Sequence, residues 1–249
     1  MTIKRPKIQP KPLLRVAQHS TTLQFSASAV QSRMDVRRPD ALSLDYTRLM
    51  MGFLLLQPSP SDVAMIGLGG GSLAKFCHRH LPTANICVVE INAGVIALRE
   101  TFQVPADSKR FTIVEADGAD FVRSQRNAFD VLLVDGYDDD GLPPRLSSRV
   151  FYLHCAKLLR EGGVLVVNLN LDVQRCARQV ELIRGQFGIS AFVVRGTGSI
   201  NRVVFAENGG HATPLASRLR KPDAIAKDAR RELRHTFGRV ERAARELMY

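Results

Sequence analysis

Short apolar runs and amphipathic stretches alternate along the chain from Asp62 to Asn208. Asp62–Gly67 (DVAMIG) predicts a short buried strand, and Ser72–His80 a helix closed by Pro82. Asn85–Glu90 predicts a second strand and Ala93–Phe102 a second helix; Phe111–Ala116 a third strand and Ala119–Arg126 a short helix. Phe129–Asp135 follows as a fourth strand, Ser147–Leu159 as a helix, Gly163–Leu169 as a fifth strand and Val173–Phe187 as a helix. The strands are near-continuous Val, Ile and Leu, the composition of parallel strands covered on both faces. The last two runs, Ser190–Arg195 and Arg202–Ala206, are separated only by Gly196–Asn201. That link is too short for a crossover helix, so the pair must be antiparallel.

The pattern predicts an α/β, doubly wound, mostly parallel seven-stranded sheet ending in an antiparallel hairpin. Class I methyltransferase-type folds end this way, whereas an ordinary dinucleotide-binding domain continues with another βαβ unit. Upstream, Thr22–Met34 alternates in places and predicts a small β element, a hairpin, while Ser43–Leu56 predicts a helix stopped by the Pro58–Pro60 turn. Residues 1–20, rich in Pro and Lys, read as an extended or disordered basic tail. Near the other end, Ile225, Ala229, Leu233, Phe237, Val240, Ala244 and Leu247 recur at three- and four-residue intervals opposite an Arg-rich face. That helix is expected to pack on the domain or on a partner subunit. The division is therefore a tail (1–20), a strand and helix segment (21–61), a Rossmann-like domain (62–208) and a basic amphipathic helix (209–249).

At 249 residues and 45% hydrophobic, the chain can bury a sizeable core. No stretch approaches the roughly 20 apolar residues of a membrane span, and the N-terminus has no signal-peptide core, so the expected location is cytoplasmic. Cys77, Cys87, Cys155 and Cys176 are scattered without CxxC or His at zinc spacing, which predicts reduced buried thiols and no metal. The net charge is +11. Residues 1–40 carry eight basic and two acidic side chains and residues 211–249 ten and five, which leaves 41–210 neutral. No recognition motif accompanies the basic tails, so solvated tails are expected rather than nucleic-acid binding.

Four features carry candidate chemistry. IGLGGGS, Ile66–Ser72, lies between the first strand and its helix, where Gly67, Gly69, Gly70 and Gly71 let backbone approach a ligand at a helix N-terminus. Glu90 ends an apolar strand about 20 residues later, where a carboxylate accepts from ribose hydroxyls. Asp117-Gly118 follows the third strand: Asp117 suits an adenine amino group, or a helix N-cap, and Gly118 leaves room for the ring. DGYDDDGLPP, Asp135–Pro144, places Asp135 at the carboxyl end of the fourth strand with further acids that attract a cation. Its spacing is not that of an EF-hand. Tyr137 could stack on a ligand or pack, and His78, His80 and His154 read as structural or surface residues.

Taken in order, IGLGGGS, VVEIN, EADGADF, DVLLVDGYDDDG and LREGGVLVVNL resemble the spermidine synthase family of aminopropyltransferases over roughly residues 20–207. The segment AVQSRM…DYTRLMM, Ala29–Met51, resembles that family's N-terminal strand end and the helix before the glycine loop. The resemblance implies a decarboxylated S-adenosylmethionine co-substrate across the strand ends, with Glu90 on the ribose and Asp117-Gly118 beside the adenine. It makes Asp135 the general base for an amine acceptor, with Asp138 and Tyr46 holding that polyamine, and it implies a homodimer. The family's acid in the glycine loop is Gly70 here, and its Tyr-His pair is Tyr46-Thr47. Its proline after the second loop aspartate is Asp139, and Gly196–Asn201 replaces its Tyr-Pro element. The nucleoside half is kept and the amine half altered. Methyl transfer from intact S-adenosylmethionine is the first alternative, since a glycine at 70 admits the carboxylate that an acid would repel. A non-catalytic nucleoside-binding or interaction protein is the second.

Overall fold

The computed structural model describes residues 9–26, 29–138, 141–198, 200–209, 215–223 and 225–247. Expectations for residues 1–8, Asp139 and Asp140 lie outside them. A small antiparallel sheet comes first, in the order β1 (Leu13–Ala17), β2 (Ser20–Ser26) and β3 (Ala29–Asp35). The large sheet holds β4 (Asp62–Ile66), β5 (Asn85–Glu90), β6 (Phe111–Glu115), β7 (Phe129–Val134), β8 (Leu159–Leu169), β9 (Phe192–Arg195) and β10 (Arg202–Glu207). Its order is β6-β5-β4-β7-β8-β10-β9. The first five strands run parallel, and β10 is antiparallel to both β8 and β9. The expected doubly wound sheet with its antiparallel end is thus present. The chain runs outward from β4 through β5 to β6 and then returns to β4's other side as β7. That reversal opens a crevice at the carboxyl ends of β4 and β7, where ligands of such sheets bind.

Strand alternation builds two cores. Val63, Met65, Val88, Leu133 and Phe205 point to one face, and Ala64, Ile66, Leu132, Val134 and Val204 to the other. The helices are α1 (Asp45–Met50), α2 (Ser72–His80), α3 (Ala93–Ile96), α4 (Gly118–Ser124), α5 (Arg149–Leu158), α6 (Val173–Phe187), α7 (Leu215–Arg218) and α8 (Lys227–Glu246). Helices α2 and α8 cover the first face with Phe76, Cys77, Leu233 and Val240; α5 and α6 cover the second with Phe151, Tyr152, Val180 and Ile183. The apolar stripe of α8 therefore packs on its own domain. Side-chain caps set the starts of α5 and α6, where Ser148 Oγ accepts from the Phe151 N–H at 3.1 Å and Asp172 Oδ1 from Arg175 at 2.9 Å.

Three expectations are corrected. Residues 1–20 are not all tail, because Leu13–Ala17 forms β1 and pairs along β2. An isolated run of LLRVA lacks a strand signal; the β2 ladder supplies its backbone partners. The helix over Ala93–Phe102 is regular only to Ile96, after which Leu98 and Arg99 donate three residues back, to Val95 and Ile96. This tightening carries Phe102 inward, and Lys75, 4% exposed, donates from Nζ to its carbonyl at 2.6 Å. Burial draws the Lys75 ammonium down to about 8. The helix expected over Ser43–Leu56 is α1 followed by a 3-10 turn, Met51–Leu55. The four cysteines are free; Cys77, Cys155 and Cys176 are buried and Cys87 half-buried. Among the described residues, no helix is long and apolar enough to cross a membrane.

Candidate active site

A cavity of about 730 Å³ lies at the crevice between β4 and β7, a volume suited to a nucleoside-sized ligand. Of the residues singled out from sequence, Tyr46, Gly67, Gly69, Glu90, Asp117, Gly118, Asp135 and Asp138 line it. Gly70 and Gly71 do not. Gly71, at φ +70, turns the chain into α2 with Val104 Cγ2 2.5 Å from where a Cβ would stand. Their contribution is to the turn.

Glu90, 8% exposed, closes β5 and grips the glycine turn. Its Oε2 accepts from the Leu68 N–H and its Oε1 from the Asn92 N–H, both at 2.8 Å. Burial raises its pKa, and backbone N–H groups of Leu68, Asn92, Ile91 and Gly69 oppose the rise. The residue also lines the cavity wall. Replacing one oxygen by an amide would set N–H against N–H. Glu90→Gln is therefore expected to lower unfolding stability by about 1–3 kcal/mol, read by denaturant titration.

Asp117 does cap α4: Oδ1 accepts from Ala119 at 2.7 Å and Asp120 at 3.4 Å. Its Oδ2 meets Arg145 Nε at 2.9 Å, and Arg145 Nη2 meets Asp120 at 2.8 Å. Gly118 is a glycine because a Cβ there would lie 2.5 Å from Ile66 Cγ2. The ring space attributed to it is occupied on that side by Ile66.

Asp135 stands one residue beyond β7. Its Oδ1 accepts from Asn168 Nδ2 at 2.8 Å, and the Tyr46 hydroxyl donates to the same carboxylate. Burial lifts its pKa to about 6, against the pull of these two donors. Tyr46 is itself pushed well above its ordinary value, first by burial and then by the Asp135 charge. A carboxylate so placed is ionised at neutral pH yet a stronger base than a solvated aspartate, which suits proton abstraction. Tyr137 lines the cavity, and its hydroxyl donates to the Asn168 carbonyl at 2.8 Å and accepts from the Asn170 N–H at 2.6 Å, which ties the acidic loop to β8.

Residues 44–175 match the spermine/spermidine synthase domain, more than half of the chain. The chain belongs to the spermine/spermidine synthase family. Relatives include a polyamine aminopropyltransferase of Chromobacterium violaceum, 40% identical over 167 residues, and one of Neisseria meningitidis, 36% identical over 168. These alignments cover 66% and 67% of this chain and 64% of each relative, so the match spans less than two thirds of their length. A probable spermidine synthase from Corynebacterium glutamicum superposes with a TM-score of 0.69 at 18% identity, covering 89% of this chain and 82% of that one. That likeness supports the fold.

This family member fills the space near Gly70 differently. A Cβ at Gly70 would lie 2.6 Å from Ser32 Oγ and 2.8 Å from Phe102 Cδ1, so an acid there would have to displace side chains of β3 and of the turn after α3. Thr47, buried, turns its hydroxyl to the Leu44 carbonyl at 2.7 Å and leaves the amine half without an imidazole at that position. Sequence reasoning missed Gln31, Ser32, Ile91, Asn92 and Arg145 on the cavity wall. The run AVQSRM was the available signal for Gln31 and Ser32. Pro10 also lines the cavity, its carbonyl held by Asn92 Nδ2 at 2.8 Å, which no pattern in the tail announced.

Proposed function

We propose that the protein transfers an aminopropyl group from decarboxylated S-adenosylmethionine to an amine acceptor, with Asp135 as general base. The observation that carries this reading is the charge of the cavity. In a chain of net charge +11, Glu90, Asp117, Asp120, Asp135 and Asp138 face it, while Arg145 is already paired with two of them. Such a lining draws cationic amines and a sulfonium out of solution.

The residues supply the steps as follows. The Glu90 end and the backbone at Gly67 and Gly69 would orient the nucleoside, whose sulfonium supplies an activated leaving group. Asp138 and Tyr46 would hold the acceptor. Asp135 takes the proton of the attacking ammonium, so that the free nitrogen forms a C–N bond as the C–S bond breaks and methylthioadenosine leaves. The acceptor nitrogen gains the propyl chain, and the proton passes from Asp135 to water. The free thiols support a reducing, cytoplasmic setting.

Purified protein given the donor and a panel of diamines is expected to release methylthioadenosine and a product heavier by one aminopropyl group. Intact S-adenosylmethionine, bound more tightly than the decarboxylated form and consumed with methylation of the amine, would replace this reading with methyl transfer. The absence at Gly70 of a negative charge that would repel the carboxylate is what favours that second reading.

A further inference from the structure

Asp135 is held by Asn168, and Asn168 is held by a residue that lies off the cavity wall. Asn168 is 3% exposed on β8. Its Nδ2 donates to Asp135 Oδ1 at 2.8 Å, and its Oδ1 accepts from Asn201 Nδ2 at 3.0 Å. A carboxylate only accepts, so it requires the Asn168 amide to present hydrogen. An amide rotated by half a turn would set a carbonyl oxygen against the carboxylate. Asn201 opposes that rotation, because a turned Asn168 amide would set its hydrogens against those of Asn201.

Asn201 is itself fixed. It stands just before β10, its carbonyl accepting from the Gly196 N–H at 2.7 Å. The Thr197 N–H donates to Asp45 Oδ2 at 2.7 Å, and Arg239 of α8 reaches both Asp45, at 3.1 Å, and the Arg195 carbonyl. Asp45 begins α1, the helix that carries Tyr46. One frame therefore holds both hydrogen-bond donors of Asp135, Tyr46 directly and Asn168 through Asn201.

We infer that Asn201 is a positioning residue for Asp135, acting through the orientation of the Asn168 amide to keep the carboxylate ionised and aimed. The inference rests on the reading of Asp135 as the base. The titratable groups around Asp135 are Tyr46 from α1 and Tyr137 and Asp138 from its own loop, with Cys176 and Arg175 of α6 behind Tyr137 and Arg202 of β10 beside Cys176. Glu90 and Asp117 face the same cavity. Neither asparagine titrates, so their substitution adds no charge.

The test is a carboxyl-carbon NMR titration of the full chain labelled at aspartate, with the Asp135 signal assigned by Asp135→Asn. Asn201→Leu is expected to raise the Asp135 midpoint by about one pH unit, a tenfold change in proton affinity. Asn201→Ala, which removes the donor without added bulk, is expected to do the same. In an Asn168→Leu background neither change should move the midpoint further, the signature of action through Asn168. The acid limb of the pH–rate profile should shift by the same amount. An unmoved midpoint in both variants, or equal shifts with and without the Asn168 amide, overturns the inference. A shifted midpoint in a protein that never turns over the donor upholds the relay and removes the transfer reading. Turnover with an acid limb that Asn201→Leu leaves in place removes the relay and keeps the transfer reading.

Discussion

Asp135→Asn is expected to lower kcat for aminopropyl transfer by about 10³-fold while methylthioadenosine binds within about threefold of the parent affinity, since general-base catalysis contributes roughly 10²–10⁴-fold. The substitution keeps the side chain's shape and an acceptor for Asn168, the Tyr46 hydroxyl can turn to accept from the new amide, and the capacity to take a proton is lost. The folded protein should not weaken. Burial raises the Asp135 pKa to about 6 from an ordinary 3.8, so the folded state binds its proton more tightly than the unfolded chain. The stability this group contributes is present below about pH 4 and is lost as pH rises through about 6, which makes the ionised carboxylate a liability at neutral pH. An uncharged amide removes that liability, so the melting temperature of the variant at pH 8 should equal or exceed the parent's. In the parent, kcat/KM should fall tenfold per pH unit below about 6 and lose that dependence in the variant. A variant that unfolds overturns the stability argument, and a folded one that retains most of its turnover removes Asp135 from the role of base.

The second large effect concerns a single methyl group. Gly67 sits at φ +96, and a Cβ there would lie 2.4 Å from the Asp135 carbonyl oxygen and 2.9 Å from its carbonyl carbon. Both neighbours are backbone, held by the Asp135 N–H donating to the Ile66 carbonyl at 2.9 Å and the Gly67 N–H donating to Val89 at 2.8 Å. No side chain can swing aside. Left-handed backbone costs a non-glycine residue about 1–2 kcal/mol, and separating β4 from the end of β7 adds to it. Gly67→Ala is therefore expected to lose about 3 kcal/mol or more of stability, lowering Tm by about 10 °C. Whatever folds should also be catalytically impaired, because the displaced atoms are the backbone of the proposed base. Gly70→Ala meets side-chain atoms of Ser32 and Phe102 instead, and should be the milder change. A melting curve for Gly67→Ala that overlays the parent's would refute the packing argument.

Much of this protein was legible from local pattern. Buried parallel strands such as β4 and β7 are written as continuous Val, Ile, Leu and Met because both faces of the sheet are covered, and their boundaries fell within a residue or two of expectation. The short Gly196–Asn201 link required an antiparallel pair, and β10 obeys it. Strand ends bearing an acid after an apolar run placed Glu90 and Asp135 at the crevice, because every parallel strand delivers its carboxyl end to the same edge. The three-four spacing of α8 likewise marked its buried face, Ala229, Leu233, Val240 and Ala244.

Other features had no local signature. Strand β1 exists because β2 offers a ladder, not because LLRVA is written as a strand. Asp117 is at once a helix cap and an ion-pair partner of Arg145, 28 positions away, and no motif links the two. Asn168 and Asn201 are ordinary polar residues in strand context until β10 inserts beside β8 and sets their amides 3.0 Å apart.

Hydrophobic period and connection length were therefore enough for the strands, their parallel run with an antiparallel end and the acids at the strand ends, while the point where strand order reverses came only with folding. Tertiary structure decided what those acids can do. The basicity of Asp135 depends on burial and on two donors brought from α1 and β8, and the crowding at Gly70 comes from Ser32 and Phe102, each more than 30 positions away. Fold class is fixed by patterns that repeat along the chain; site chemistry is fixed by contacts between distant segments, which no local pattern contains.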